Sequence, residues 1–102
     1  MTDDELRRAA KTAAQFEHRR TTQEPLPQPW TTADGRVLKT WADLHAFGQE
    51  GEAYAVKLEQ ALALIKEVRQ GSAVRASVDM RDDLSWAAGH IHTTIQRLRG
   101  EA

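Results

Sequence analysis

The most regular pattern of apolar and polar positions runs from Glu52 to Gln70. At about 100° per residue, its apolar side chains cover one half of a helix and its charged side chains cover the other half. The apolar set comprises Tyr54, Ala55, Leu58, Ala61, Leu62, Leu64, Ile65 and Val68. An arc this wide exceeds what a two-stranded seam needs, so we expect this helix to contact at least two other elements.

A second amphipathic helix is predicted over residues 79–99, with Asp79 as its N-cap. Its apolar positions recur every three or four residues: Met80, Leu84, Ala87, Ala88, Ile91, Ile95 and Leu98. Gly71 is expected to end the preceding helix, with residues 72–78 as a connector. The two stripes therefore predict an antiparallel helical hairpin.

The N-terminal segment, residues 2–20, is predicted to be a third helix. Thr2 and Glu5 have the spacing of a capping box, and the first turn is acidic. The inner stripe consists of Leu6, Ala9, Ala10, Ala13 and Phe16. Because alanine buries little area, we expect this helix to be peripheral or to pack on a second copy of the chain.

Residues 21–39 are predicted to be a proline-rich connector and a turn. The three prolines alternate with single residues from position 25 to 29, which favours an extended, polyproline-like backbone. Asp34-Gly35 suits a two-residue turn, so one small β-hairpin near 31–38 is expected, with an irregular turn as the alternative.

Residues 40–70 carry a helix start at Thr40 and glycines at positions 48 and 51. We interpret Gly48 as the end of a short helix, followed by a kink and the long central helix. The alternative is a continuous helix from Trp41 to Gln70, in which each glycine costs about 1 kcal/mol relative to alanine.

These elements predict a single all-α domain over residues 1–102, a helical bundle built on the long hairpin. The 102 residues carry a net charge of −1 and no cysteine, which fits a reducing compartment and excludes disulfide and thiolate chemistry. No apolar run is long enough to span a bilayer, and the N-terminus lacks a secretory pattern, so we expect a cytoplasmic protein. The width of the apolar arc favours a homodimer or a larger bundle.

The chemistry-bearing residues do not form a recognised motif. His90 and His92 would point about 200° apart on a helix and could not hold one ion together. The serines and threonines lack a nucleophile motif, and no glycine-rich loop follows a strand. We predict no catalytic residue, metal or cofactor, and therefore no enzyme.

A contact surface for another protein is the functional hypothesis that we favour. Trp86 lies outside the main stripe of its helix, on a flank shared with His90, Thr93 and Arg97; Trp41 is the fifth candidate. Tryptophan and arginine are enriched at binding hot spots. By analogy with small cysteine-free helical proteins of bacterial and phage accessory type, we expect an adaptor or inhibitor that occupies a partner's surface.

Nucleic-acid binding is the alternative. The first helix carries Arg7, Lys11, Arg19 and Arg20, with Arg7, Lys11 and His18 on one flank, a pattern that can contact phosphates. Residues 40–58 also have the outline of a helix-turn-helix, although Glu50 and Glu52 would place negative charge against the phosphates. A solvent-exposed helix face explains the same basic residues.

Overall fold

The structure, a computed structural model, describes residues 1–17, 19 and 22–101. Its order is helix α1 (Asp3–Ala14), strands β1 (Pro25–Thr31) and β2 (Val37–Thr40), and helices α2 (Trp41–Arg69), α3 (Ser72–Arg75) and α4 (Val78–Leu98). The prediction of a mainly α-helical chain with a long helical hairpin, an N-terminal helix and one small β-hairpin is confirmed.

Helix α1 begins as its sequence predicts and is interrupted after Ala14. The Glu5 backbone N–H donates to the Thr2 hydroxyl at 3.2 Å, and that hydroxyl donates to the Glu5 carboxylate at 3.2 Å, a local cap for the first turn. Helix α1 ends at Ala14 with Gln15 as its C-cap, and Glu17 and Arg19 are helical again. The predicted helix over residues 2–20 is therefore interrupted at Gln15 and Phe16, and its predicted end at Arg20 cannot be compared with the described residues. Residues 18, 20 and 21 lie outside the described part of the chain.

The main hydrophobic core lies around α1, which corrects the expectation that this helix is peripheral. Leu6 is completely buried, and Ala10 and Ala13 are also buried. The core cluster consists of Leu6, Ala10, Ala13, Leu26, Leu38, Leu44 and Phe47, with Ala9, Trp30 and Trp41 packed against it. The small alanines do not weaken docking here, because they allow α1 to approach α2 closely: a Cβ on Gly48 would lie 2.9 Å from that of Ala10.

The proline-rich segment is a strand, which corrects its prediction as a connector. All three prolines point outward on β1, while Leu26 is buried and Trp30 is half-buried on the other side. Proline is tolerated because this sheet has only two strands, so each strand needs hydrogen bonds along one edge only. The pairing is irregular between Pro25 and Trp30, as expected where ladder donors are missing.

The hairpin loop is longer than the predicted two-residue turn. Strand pairing stops at Thr31 opposite Val37. In the loop, the Thr32 N–H donates to the Arg36 carbonyl at 2.8 Å, and Gly35 takes a positive φ of 88°. Thr32 is buried, and its hydroxyl donates to Asp34 and accepts from the Arg36 N–H, so a side chain organises the loop.

Helix α2 is continuous, so the predicted short helix and kink are wrong and the alternative is right. It starts with a capping box in which Thr40 accepts from the Asp43 N–H and Asp43 accepts from the Thr40 N–H. Gly48 and Gly51 do not break the helix; they allow other helices to pack closely against it. A Cβ on Gly51 would lie only 2.5 Å from the Leu98 carbonyl oxygen, so glycine permits α4 to lie against α2 there.

Helix α4 starts one position earlier than predicted. The N-cap is Ser77, whose hydroxyl accepts from the Met80 N–H at 3.3 Å, and Asp79 lies inside the first turn. The predicted connector contains the short helix α3. At the other end, Gly100 has a φ of 71° and closes the helix against the backbone of Arg7, where a Cβ would lie 2.5 Å from a carbonyl oxygen.

The molecule is elongated, because the helical hairpin projects beyond the core. Its radius of gyration is 17.7 Å and its extents are 57 × 23 × 17 Å. A compact chain of this length has a radius of gyration of about 13 Å. The buried residues nearest the projecting end are Ala55 on α2 and Ile95 on α4. Residues 56–94, which lie between them in the chain, form the projecting segment that we call the arm.

Candidate interaction surface on the helical arm

The arm exposes a second apolar stripe on α2. Every residue from 56 to 94 is described, and none of them is buried. Leu58, Leu62 and Ile65 are half-buried where α2 packs along α4. Leu64 and Val68 lie about 100° further round the helix and are 63% and 52% exposed, and the half-buried Ala61 lies between the two sets. The wide apolar arc thus has one part against α4 and one part that this chain does not cover.

Tyr54 continues this stripe toward the core at heptad spacing, with Lys57 at the intermediate position of the first heptad. Tyr54, Ala61 and Val68 are seven residues apart, and Leu64 falls between the last two at the intermediate position. The width of this arc was the basis for predicting contact with at least two other elements and a homodimer or larger bundle. The sequence alone did not show which apolar positions would face α4 and which would lack a neighbour in this chain.

Trp86 is the most exposed large apolar residue on the arm, with 71% of its surface accessible. Its indole contacts the His90 ring edge-on at a centroid distance of 4.1 Å. Thr93 is exposed one turn further on, with its hydroxyl donating to the Gly89 carbonyl at 3.1 Å. The structure therefore brings Trp86, His90 and Thr93 together on the outer flank of α4, as their spacing predicts.

Arg97 extends the same flank to the base of the arm. Its Nε lies 3.0 Å from the Asp4 carboxylate, so it also ties α4 to the start of α1. Arg99 completes this anchoring by donating to both Glu52 oxygens at 2.8 and 3.1 Å and to Glu59. The arm is thus fixed by ion pairs where it leaves the core.

Trp41, the fifth predicted contact residue, lies apart from this flank. It is the first residue of α2, is half-buried, and packs against the core cluster. The Arg19 guanidinium lies 4.5 Å from the centre of its ring and 5.0 Å from that of Phe16. A cation over an aromatic face stabilises the start of α2 against the segment that follows α1.

The basic residues of the predicted N-terminal helix do not form one free strip. Arg7 lies over the Phe47 ring at 4.8 Å, and Lys11 is paired with Glu101 at 3.4 Å. Arg19 stacks on aromatic rings as described above, and Arg20 and His18 lie outside the described residues. Three of the four candidate phosphate contacts therefore already interact with other parts of the chain.

The pKa shifts lie in the hairpin, at the start of α2, and at Arg99, whose pKa is raised by its contacts with Glu52 and then Glu59. Arg36 donates to both carboxylate oxygens of Glu50, at 2.6 and 3.2 Å, and this contact lowers the pKa of Glu50 and raises that of Arg36. The Thr32 hydroxyl, and then Arg36, lower the pKa of Asp34. Backbone N–H groups of Lys39 and Thr40 lower the pKa of Asp43. Apart from Arg99, these groups join β2 and its loop to α2.

His45 lines a cleft of about 180 Å³ between α1, α2 and α4, together with Arg7 and Lys11. The carboxylate in its lining, Glu52, is held by Arg99. Within residues 1–17, 19 and 22–101, no three histidine or acidic side chains come together in a way that could hold a metal ion. No helix in the described residues is both long enough and apolar enough to cross a membrane.

Comparison of the chain with protein-family models, with curated proteins and with solved structures found no match. The surface chemistry of the arm is therefore the basis for a functional proposal.

Proposed function

We propose that the chain is a non-enzymatic protein–protein interaction module, an adaptor or inhibitor type of protein whose arm occupies the surface of a partner. One observation carries the proposal: the arm holds no buried residue, and five of its large apolar side chains are more than half exposed. These are Leu64, Val68, Val78, Met80 and Trp86. Apolar surface gathered on one projecting element is typical of a binding site.

The separation of core and arm supports this assignment. Leu6, Leu44 and Phe47 provide a core at one end of the molecule, and ion pairs of Arg97 and Arg99 fix the base of the arm. A two-helix hairpin with one helix face open gains stability when further helices cover that face, as in a four-helix bundle. A helical surface of another protein or a second copy of this chain would meet that need.

Capture of a partner from lysate of the source cell tests the proposal. The tagged chain is compared with its Trp86→Ala variant and with Val37→Ala, which removes an exposed apolar side chain from β2, away from the arm. We expect Trp86→Ala to lose a near-stoichiometric partner that the wild type and Val37→Ala retain, with equal helicity by circular dichroism. Equal capture by all three proteins would remove the Trp86 flank from the proposal.

Arg97 needs a separate control because it also binds α1. Arg97→Ala and Asp4→Ala both break the same ion pair, but only the first removes the guanidinium from the outer flank. Loss of capture in Arg97→Ala alone supports direct contact; equal loss in both indicates that the ion pair acts by positioning α4. All captures are repeated after nuclease treatment, since material that disappears would instead support the nucleic-acid alternative.

A further inference from the structure

The tip of the arm contains a cleft lined by positive charge. The cleft has a volume of about 430 Å³ and is lined by Lys66 and Arg69 from the end of α2, Arg75 from α3 and Arg81 from α4, together with Gln70. The lining therefore carries four cations and no carboxylate. Small-molecule sites typically have volumes of about 300–1,000 Å³.

None of these four cations forms an ion pair within the part of the chain that the structure describes. By contrast, Arg36, Arg97 and Arg99 are each paired with a carboxylate. Acidic residues do occur near the tip, at Glu67, Asp79, Asp82 and Asp83, but they do not line the cleft. The charges are thus separated, with the basic ones converging on one opening.

Arg69 supplies a second, independent observation. Its Nε is buried and has no hydrogen-bond partner. Burial of this atom holds the side chain in the wall of the cleft. A guanidinium placed there can bind phosphate oxygens through its terminal nitrogens, which belong to a planar set of donors.

Helix dipoles account for part of the cluster only. Lys66 and Arg69 lie in the last turn of α2, where the C-terminal end of the helix favours positive charge. Arg81 lies just after the first turn of α4, near the end of a helix that disfavours a cation. Helix dipoles therefore do not account for Arg81 in this cluster.

We propose that this tip cleft binds a diphosphate anion, meaning a ligand that presents two linked phosphate groups. Four cations from three helices surround a space larger than a single phosphate requires, so a ligand with two phosphates can reach donors on α2 and on α4 together. The site is separate from the apolar stripe and the Trp86 flank, and the proposal does not depend on a protein partner.

Calorimetric titration of the full chain with inorganic pyrophosphate at low ionic strength tests the site. Arg69→Gln and Arg81→Gln are the test variants. Lys57→Gln is the matched control, because it removes one positive charge from α2 about 18 Å along the helix from Arg69. Hydrogen bonds to charged groups predict an affinity loss of about ten- to hundredfold for each test variant and less than about twofold for the control.

The competing results are distinguishable. Absence of pyrophosphate binding to the wild type overturns the proposal, and so does an equal loss in all three variants, which indicates non-specific attraction. Orthophosphate binding as tightly as pyrophosphate would contradict the two-phosphate assignment. Binding of a single-stranded oligonucleotide with no binding of pyrophosphate would reject the small-anion site in favour of a nucleic-acid surface. Amide chemical shifts of residues 66–81 provide an independent readout in each case.

Discussion

Replacing one leucine of α1 and, separately, one leucine of α2 by alanine tests whether the hydrophobic core lies around α1 or around the middle of α2. Leu6 is completely buried, whereas Leu64 is 63% exposed. Leu6→Ala and Leu64→Ala delete the same atoms from a helix, and alanine is the better helix former, so propensity contributes little to the difference. Any large difference between the two variants therefore reports burial.

The expected magnitudes are well separated. Leu6→Ala loses transfer free energy and leaves a cavity, which together cost about 3 kcal/mol or more. For a domain of this size that corresponds to a fall in Tm of roughly 12–24 °C. Leu64→Ala is expected to change the unfolding free energy of the monomer by less than about 0.5 kcal/mol.

Urea unfolding followed by circular dichroism measures both variants, at several protein concentrations. A destabilisation by Leu64→Ala that grows with protein concentration indicates that a second copy covers the stripe, because association stabilises the folded state by mass action. Our account of the core would be refuted if Leu64→Ala cost as much as Leu6→Ala in the dilute limit, or if Leu6→Ala cost less than about 1 kcal/mol.

Two further predictions concern glycine packing and acid stability. In thermal unfolding, Gly51→Ala should destabilise the protein by about 1–3 kcal/mol, because the new Cβ would lie 2.5 Å from a carbonyl oxygen of α4. Gly89→Ala should stabilise it by about 0.5–1 kcal/mol, because a Cβ there meets no atom within 4 Å and alanine is the better helix former. Similar shifts in both variants would contradict the close contact between α2 and α4. Because Arg36 lowers the pKa of Glu50, the stabilisation from this pair is complete above the ordinary glutamate pKa and is lost as the pH falls below it. The unfolding free energy, measured by urea titration, should fall less steeply between about pH 5 and pH 3 in Glu50→Gln than in Glu67→Gln. Equal slopes of unfolding free energy against pH in the two variants would contradict the lowered pKa of Glu50.

The helices could be predicted from sequence because each has a strong local pattern. Thr2 and Thr40 cap α1 and α2 as their spacing indicates, and the two apolar stripes pair antiparallel. How deeply each helix is buried could not be predicted, because burial depends on which helix faces pack against each other in the folded chain. The alanines of α1 were interpreted as weak packing, but Ala10, with Gly48 opposite, allows α1 to approach α2 closely in the core.

Glycine and proline were misread for a related reason. Gly51 has the local signature of a break, yet its lack of a side chain serves contact with Leu98, 47 positions later in the chain. The prolines of β1 are compatible with a strand only because no third strand needs their missing donors. Both facts are properties of the assembled fold, and a local pattern does not contain them.

The candidate surface was predictable in part. The Trp86 flank follows from helical spacing, and the structure shows Trp86 exposed. The sequence did not show whether Trp41 belongs to the core or to a contact surface, and the structure packs it against the core. The tip cleft was missed altogether. Its cations come from three helices and are interleaved with acidic residues along the chain, so only folding separates the two signs of charge.

Site-specific photo-crosslinking in the source cell tests most directly whether the arm is the contact surface. The crosslinking amino acid replaces Leu64 or Trp86 on the arm, or Val37 on the hairpin as the control. We predict discrete protein adducts from both arm positions and none from the control. The mass of an adduct distinguishes a second copy of the chain from another protein. Adducts that are absent from the arm, or no more abundant there than at the hairpin, would contradict the proposed function.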